Sequence, residues 1–188
     1  MILTPRLRLR ALTTRDLALF RALYCDRGTM RHIGKPLSRS VAAISLRLTV
    51  AATRKPGGLQ FFVIAERRSR RGVGMCSLRP AAWDERGVEA GLMLLPAARG
   101  RGYAREALQG LIDAGFSNLH VDTVWVQHSR ANEEMGHLSL ALGFRPVRRK
   151  IAPDREPDQI IQLLRRPRTH SSTTNARKKN SAQYRCLT

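Results

Sequence analysis

The chain has 188 residues, 43% of them apolar, and carries a formal net charge of +20 from 34 Lys and Arg against 14 Asp and Glu. That length suits one ordinary domain with a short addition, and without a run of about 18 apolar residues no transmembrane helix is expected. The N-terminus has no apolar core of a signal peptide, and Cys25, Cys76 and Cys186 are scattered without CxxC or Cys/His spacing, which points to reduced thiols in a cytoplasmic, metal-free protein.

Leu7-Arg8-Leu9-Arg10 alternates apolar and charged residues like a half-buried strand. Thr13 followed three residues later by Asp16 marks a helix start, and Leu17, Phe20, Leu23 and Tyr24 carry the helix to about Arg27. A loop at 36–40 separates it from a second helix over 41–53, which Pro56-Gly57-Gly58 ends. Strands follow at 59–65 and 72–78, joined by a charged turn, then a loop at 80–87 and a strand at 88–94. A glycine-rich turn leads into a helix with Ala104, Ala107, Leu108, Leu111, Ile112 and Gly115 on one face. A strand at 123–127, a helix at 132–142 stopped by Gly143, and closing strands at 144–150 and 159–164 complete the order. The plan is mixed α/β with an antiparallel run in its middle.

From about Pro167 the character changes. Residues 167–188 are polar, lack apolar periodicity and include five basic residues (Arg168, Arg177, Lys178, Lys179, Arg185) and no acid. The expected division is a folded domain over 1–166 and a basic, disordered tail over 167–188. The overall charge has two readings: a field that attracts RNA, ribosomes or polyanionic ligands, or arginines that are simply solvated.

The strand at 88–94 feeds Pro96-Ala97-Ala98-Arg99-Gly100-Arg101-Gly102-Tyr103-Ala104-Arg105. A strand-to-helix turn of this kind gathers free backbone N–H groups at a helix N-terminus, where the dipole favours phosphate. A Walker A loop would end in Gly-Lys-Ser/Thr, and a dinucleotide fingerprint needs Gly or Ala where Arg105 stands, so both fail. Arg99-x-x-Gly102 begins a third pattern: Arg99-Gly100-Arg101-Gly102-Tyr103-Ala104 fits Q/R-x-x-G-x-G/A in full. Alone, the turn reads equally well as a tight helix start.

That pattern is the signature of GNAT acetyltransferases. The chain resembles the Rim-type subgroup, the ribosomal-protein N-terminal acetyltransferases, from about Ile2 to Leu164. The resemblance is carried by Thr4 to Arg10, Met30 to Ser38, Val88 to Leu92, Arg99 to Leu108, Asp122 to Gln127, Asn132, and Ala141-Leu142-Gly143-Phe144, in the correct order. It implies a mostly antiparallel central sheet flanked by helices, with one splayed pair of parallel strands, and an acetyl-CoA-dependent transfer to an amine by direct attack. It further implies that Leu92, Met93 and Leu94 pair through their backbone with the pantetheine arm. The pyrophosphate would meet Arg99, Gly100, Arg101, Gly102, Tyr103, Ala104 and Arg105, and Asn132 would lie near the pantetheine. Asn132 equally suits an N-cap. Glu89 is the expected general base; an exposed strand carboxylate or one paired with an arginine is the competing reading.

Two departures from the subgroup stand out. Ser139 occupies the position where many relatives carry a tyrosine acid, and Met135 stands where the subgroup often has serine. Both keep open a catalytically weak member or a non-catalytic acetyl-CoA sensor, beside a basic RNA- or ribosome-binding protein on the same scaffold. His128 and His137 are expected near the cleft in supporting roles, and Trp83 and Trp125 as loop and core residues without chemistry. The resemblance implies no metal or membrane partner; the acceptor is a protein N-terminus or a small amine.

Overall fold

The computed structural model describes residues 1–55, 57–147 and 158–167. Eight strands form one sheet in the order β1-β2-β3-β4-β5-β6-β8-β7. They are β1 (Ile2–Leu3), β2 (Leu7–Ala11), β3 (Gln60–Glu66), β4 (Gly72–Ala81), β5 (Asp84–Leu94), β6 (Thr123–Ser129), β7 (Arg145–Pro146) and β8 (Gln159–Arg165). The helices are α1 (Leu17–Tyr24), α2 (Arg27–Met30), α3 (Arg39–Ala52), α4 (Tyr103–Asn118) and α5 (Glu133–Ala141). Neighbours pair antiparallel throughout except β5 with β6, which run parallel. This is the mixed, mostly antiparallel plan that the resemblance implies.

Side-chain alternation along the strands gives the sheet two apolar faces. On one, Leu7, Leu9, Ile64, Leu78, Val88, Ala90, Val124 and Val126 meet the inner face of α4 through Ala107, Leu108, Leu111 and Ile112. On the other, Val63, Ala65 and Met75 meet Phe20 and Leu23 of α1 and Ala42 and Leu46 of α3. Burying each such Leu or Phe side chain contributes about 1.5–3 kcal/mol, so these two layers fix where every loop begins.

Several boundaries differ from the sequence reading. The helix expected to about Arg27 ends at Tyr24: a single turn at Thr14–Asp16 leads into α1, and α2 follows as a separate element. The Asp16 carboxylate reaches back to the Thr13 N–H at 2.9 Å, as the spacing requires. Asp26 restarts the chain as an N-cap, its carboxylate accepting the Thr29 N–H at 2.7 Å. Residues 80–87 are no loop: β4 runs to Ala81 and β5 starts at Asp84. The closing strand expected over 144–150 is described only to residue 147, with β7 at Arg145–Pro146; the rest of it and the tail from residue 168 lie outside the described residues.

Candidate active site

β5 and β6 pair at Gly87–Thr123, Val88–Val124 and Glu89–Trp125, and the pairing stops there. Both strands continue, β5 to Leu94 and β6 to Ser129. β6 stays attached to β8 through seven residue pairs, from Thr123–Arg165 to Ser129–Gln159, while β5 follows β4. The strands therefore diverge beyond Glu89. The Leu95 N–H donates to the Val73 carbonyl at 2.9 Å, which sets the alternation of the antiparallel ladder. Gly91 and Met93 direct their backbone groups to β4; Ala90 directs its N–H to Trp125 in the last rung and its carbonyl beyond it, and Leu92 and Leu94 direct theirs into the gap. Met93 thus meets the gap differently from its two neighbours.

A cleft of about 150 Å³ lies against the diverging end of β5. Leu92, Met93 and Leu94 line it from β5, Arg99 and Ala104 from the glycine-rich turn and α4, Asn132 and Met135 from α5, and Gly28, Thr29 and His32 from α2 and the segment after it. Residues separated by a hundred positions in the chain thus share one opening. A groove of about 720 Å³ lies between Met1–Arg6 and the outer side of α4. It is larger; Gly102 and Arg105 border it, but no residue of β5 or β6 lines it.

The turn at the mouth depends on backbone conformation. Gly100 and Gly102 have φ of 71° and 76°, values that side-chain-bearing residues rarely adopt. A Cβ on Gly100 would meet open space, whereas one on Gly102 would lie 3.2 Å from Arg6 Nη2. The first intrahelical bond of α4 runs from the Glu106 N–H to the Gly102 carbonyl at 3.2 Å. The N–H groups of Tyr103, Ala104 and Arg105 precede it and have no acceptor within the helix, so the turn presents donors and a positive dipole end that suit a phosphate.

The side chains around that turn are arranged less uniformly than their charges suggest. Arg99 folds back, Nη2 donating to Thr29 Oγ1 at 3.0 Å and to the Leu94 carbonyl at 3.3 Å. Tyr103 is buried between the Arg6 and Arg101 guanidinium groups, 5.0 and 4.9 Å from its ring centre. Its hydroxyl donates to Glu66 at 2.8 Å, and that bond raises its pKa above the ordinary phenol value. The side chain of Tyr103 is thereby spent on packing. Arg105 lines the larger groove on the outer side of α4. Glu106, given no role in the sequence reading, accepts from the Thr4 hydroxyl (2.6 Å), the Arg6 N–H (2.6 Å) and the Leu7 N–H (3.1 Å), and pairs with Arg6 Nε at 2.7 Å. It locks the N-terminal segment to the first turn of α4.

Glu89 stands on the last rung of the parallel pair and is only 8% exposed. It lies directly across from Arg79 on β4, and Arg79 Nη2 donates to its Oε1 at 2.6 Å. The arginine-paired reading of this carboxylate is therefore the geometry present. Asn132 caps α5, its Oδ1 accepting the Met135 N–H at 3.2 Å, and it also lines the cleft. Ser139 is fully buried. Its hydroxyl bonds the Met135 carbonyl at 2.8 Å and the buried Gln162 side chain on β8, which turns it away from any role as a proton donor in the cleft.

His128 is buried beneath α5, with Nδ1 on the Ser129 carbonyl at 2.9 Å and Gly136 close against its ring; His137 is exposed. Trp83 and Trp125 pack edge to face at 5.8 Å, and Trp125 Nε1 donates to Asp84 at 2.8 Å, fastening the β4–β5 hairpin to β6. Among the described residues no group of three or more His, Cys, Asp or Glu could hold a metal, and no helix is long and apolar enough to cross a membrane. The sequence reading missed Thr29, Gln162 and the anchoring by Glu106. Only Glu106 had a local signal, an acid in the first turn of a helix.

Comparison with known proteins agrees with this geometry. The acetyltransferase (GNAT) domain matches residues 6–145. A Bacillus subtilis protein described as the uncharacterized N-acetyltransferase YoaA is 27% identical over 143 residues, covering 75% of this chain and 80% of its own. The spermidine N-acetyltransferase of Vibrio cholerae, solved with CoA and spermine, superposes with a TM-score of 0.69 at 20% identity, over 84% of this chain and 93% of its own. RimL, a ribosomal L7/L12 α-N-protein acetyltransferase solved with coenzyme A, superposes with a TM-score of 0.72 at 13% identity, over 86% and 95%. The diverging parallel strands, the glycine turn and a domain match spanning both lead to one assignment: the chain belongs to the GNAT family of acetyl-CoA-dependent acyltransferases.

Proposed function

We propose that this enzyme transfers acetyl from acetyl-CoA to an amine within a ternary complex, with a protein N-terminal α-amino group as the first choice of acceptor and a small amine as the second. The observation that carries the proposal is the parting of β5 and β6 beyond Glu89, with a cleft lined by Leu92, Met93 and Leu94 and by the phosphate-ready turn; the buried Glu89 stands at the last paired rung and is not among the residues that line that cleft. RimL supports the first acceptor class and the spermidine enzyme the second, each through the substrate its own description names.

Bound acetyl-CoA supplies an activated thioester carbonyl. Gly100 and the N–H groups of Gly102, Tyr103, Ala104 and Arg105 would hold its pyrophosphate, with Arg101 adding positive charge. The gap-side backbone of Leu92 and Leu94 would hold the pantetheine arm beside Asn132, with Met93 contributing its side chain. Glu89 would take the proton that the acceptor's ammonium form must lose before the neutral amine attacks, and Arg79 fixes where that carboxylate lies. An α-amino group titrates near ~8 and a lysine near ~10.4, so the former makes the smaller demand on a base. The Leu92 N–H is the candidate donor to the carbonyl oxygen as charge develops there. Ser139 is committed to Gln162, so the departing thiolate would take its proton from water or leave unprotonated.

The proposed organisation is a catalytic unit over 1–166 with a basic appendage over 167–188. A second reading, recruitment to RNA or ribosomes, rests on the net charge of +20. The test is calorimetry with acetyl-CoA at moderate salt, followed by turnover on three probes: a peptide with a free N-terminus, spermidine, and lysine blocked at its α-amine. Saturable binding and turnover of the first probe support the proposal. Binding without turnover of any amine favours a sensor. For the base, Glu89→Gln should lower kcat while leaving acetyl-CoA affinity unchanged; unchanged turnover removes Glu89 from the mechanism.

A further inference from the structure

Arg99 opens the glycine motif, and its position invites assignment as a phosphate ligand. Its hydrogen bonds say otherwise. Nη2 reaches Thr29 Oγ1 at 3.0 Å and the Leu94 carbonyl at 3.3 Å, and Nε lies 3.4 Å from the same carbonyl. Leu94 is the end of β5, and its carbonyl is among the groups directed into the gap. Thr29 belongs to α2, seventy positions away in the chain, and is buried. Its hydroxyl donates onward to Asp26 Oδ1 at 2.7 Å, the same oxygen that accepts the Thr29 N–H at 2.7 Å. The Asp26 carboxyl is held below its usual range by the Thr29 hydroxyl first, then the Thr29 N–H, with Arg99 adding a smaller attraction.

These contacts form one chain, from Asp26 through Thr29 and Arg99 to Leu94. It joins α2, the turn and the end of β5, which wall three sides of the cleft. α2 has only four residues, too short to hold itself as an isolated helix. Thr29 and its neighbour Gly28 line the cleft, as do Arg31, His32 and Ile33 beyond them.

We infer that Arg99 is a positioning residue: through Thr29 it latches α2 and the following segment to the cofactor turn, so that occupation of the turn is transmitted to the 27–34 wall of the cleft. The inference rests on the cleft being the acetyl-CoA site, and the experiment separates the two.

Hydrogen exchange is followed by mass spectrometry on the full chain, with and without CoA, for wild type, Thr29→Val, Thr29→Ser and Arg99→Lys. Valine keeps the volume of threonine and removes both hydroxyl contacts; serine restores them. Without ligand, Thr29→Val and Arg99→Lys should exchange about tenfold faster at residues 27–30, the scale of one lost charge-assisted bond, and Thr29→Ser should match wild type. With CoA, wild type and Thr29→Ser should gain protection at both 99–106 and 27–34, whereas Thr29→Val and Arg99→Lys should gain it at 99–106 alone. Unchanged exchange in ligand-free Thr29→Val overturns the latch. So does full protection of 27–34 by CoA in that variant, which would mean direct contact with the cofactor. Absence of protection at 99–106 in wild type would sink the cofactor site instead, and the ligand-free comparison then decides the latch by itself.

Discussion

Gly102 allows the phosphate assignment to be separated from the stability of the fold. Its φ of 76° is costly for a residue with a side chain, about 1–2 kcal/mol for alanine, with asparagine and aspartate the best tolerated. A Cβ there would also press on Arg6 Nη2 at 3.2 Å, the far end of a side chain that can yield. Gly102→Asn and Gly102→Asp are nearly isosteric, so they share this strain and differ chiefly in charge. At about 6 Å and an effective dielectric constant of about 40, one carboxylate–phosphate repulsion is worth about 1.4 kcal/mol, which is about tenfold in affinity. Calorimetry should therefore give the aspartate variant an acetyl-CoA Kd at least about tenfold weaker than the asparagine variant, and the difference should shrink as salt is raised. Urea unfolding should place the two within about 0.5 kcal/mol of each other. Equal affinities in two equally folded variants would refute a phosphate at this turn.

Glu106→Gln should weaken the fold by about 1–2 kcal/mol in urea unfolding, because the charge that serves Arg6 and three N–H or O–H donors is lost. Ser139→Ala should cost about 1–3 kcal/mol by leaving the buried Gln162 oxygen without its hydroxyl donor, with kcat unchanged; a collapse of kcat would count against a purely structural role for Ser139. Burial works to raise the Asp16 carboxyl, but bonds from Arg10 and from the Thr13 N–H and hydroxyl outweigh it and hold it below the ordinary range. A depressed folded pKa stabilises the protein above the unfolded value near ~3.9, and that stabilisation is lost as pH falls through the folded value. Asp16→Asn should accordingly flatten the acid limb of a stability–pH curve measured by thermal melting, and an unchanged limb would count against this pairing.

The sequence was most legible where backbone chemistry leaves a mark. Glycines at left-handed positions, a strand ending at Leu94 and a 3.6-residue apolar face announce the turn and α4 before any coordinate is known. The loop expected over 80–87 failed because Pro80 looks like a breaker. At Pro80 the neighbouring strand β3 has already ended, since its first residue, Gln60, lies opposite Leu78. The missing N–H of Pro80 faces no partner strand and costs nothing. Met93 shows the limit of quoting a run of residues: strand alternation gives neighbouring positions different partners. The fate of the arginines was not readable at all. Arg99, Arg101 and Arg105 differ in no local signal, yet one is tied to a threonine seventy positions away, one lies over a tyrosine ring and one borders the outer groove.

The cleft itself follows from an unfinished ladder. Buried backbone groups are almost always paired, yet β5 sends the Ala90 carbonyl, Leu92 and Leu94 toward a strand that has already turned away to follow β8. Arg99 satisfies the Leu94 carbonyl. The Glu89–Trp125 rung takes the Ala90 N–H, so the demand that remains falls on the Ala90 carbonyl, Leu92 and the Leu94 N–H, about two rungs of a ladder, flanked by the apolar side chains of Met135 and Leu138. A narrow chain with amide groups about one rung apart would complete it; a compact or fully charged ligand would not. The pantetheine arm of acetyl-CoA has two amides in an otherwise flexible, uncharged chain, and its phosphate end would fall at the turn after β5. On the proposed reading, the divergence of β6 toward β8 would select such a cofactor, and the glycine turn would anchor it.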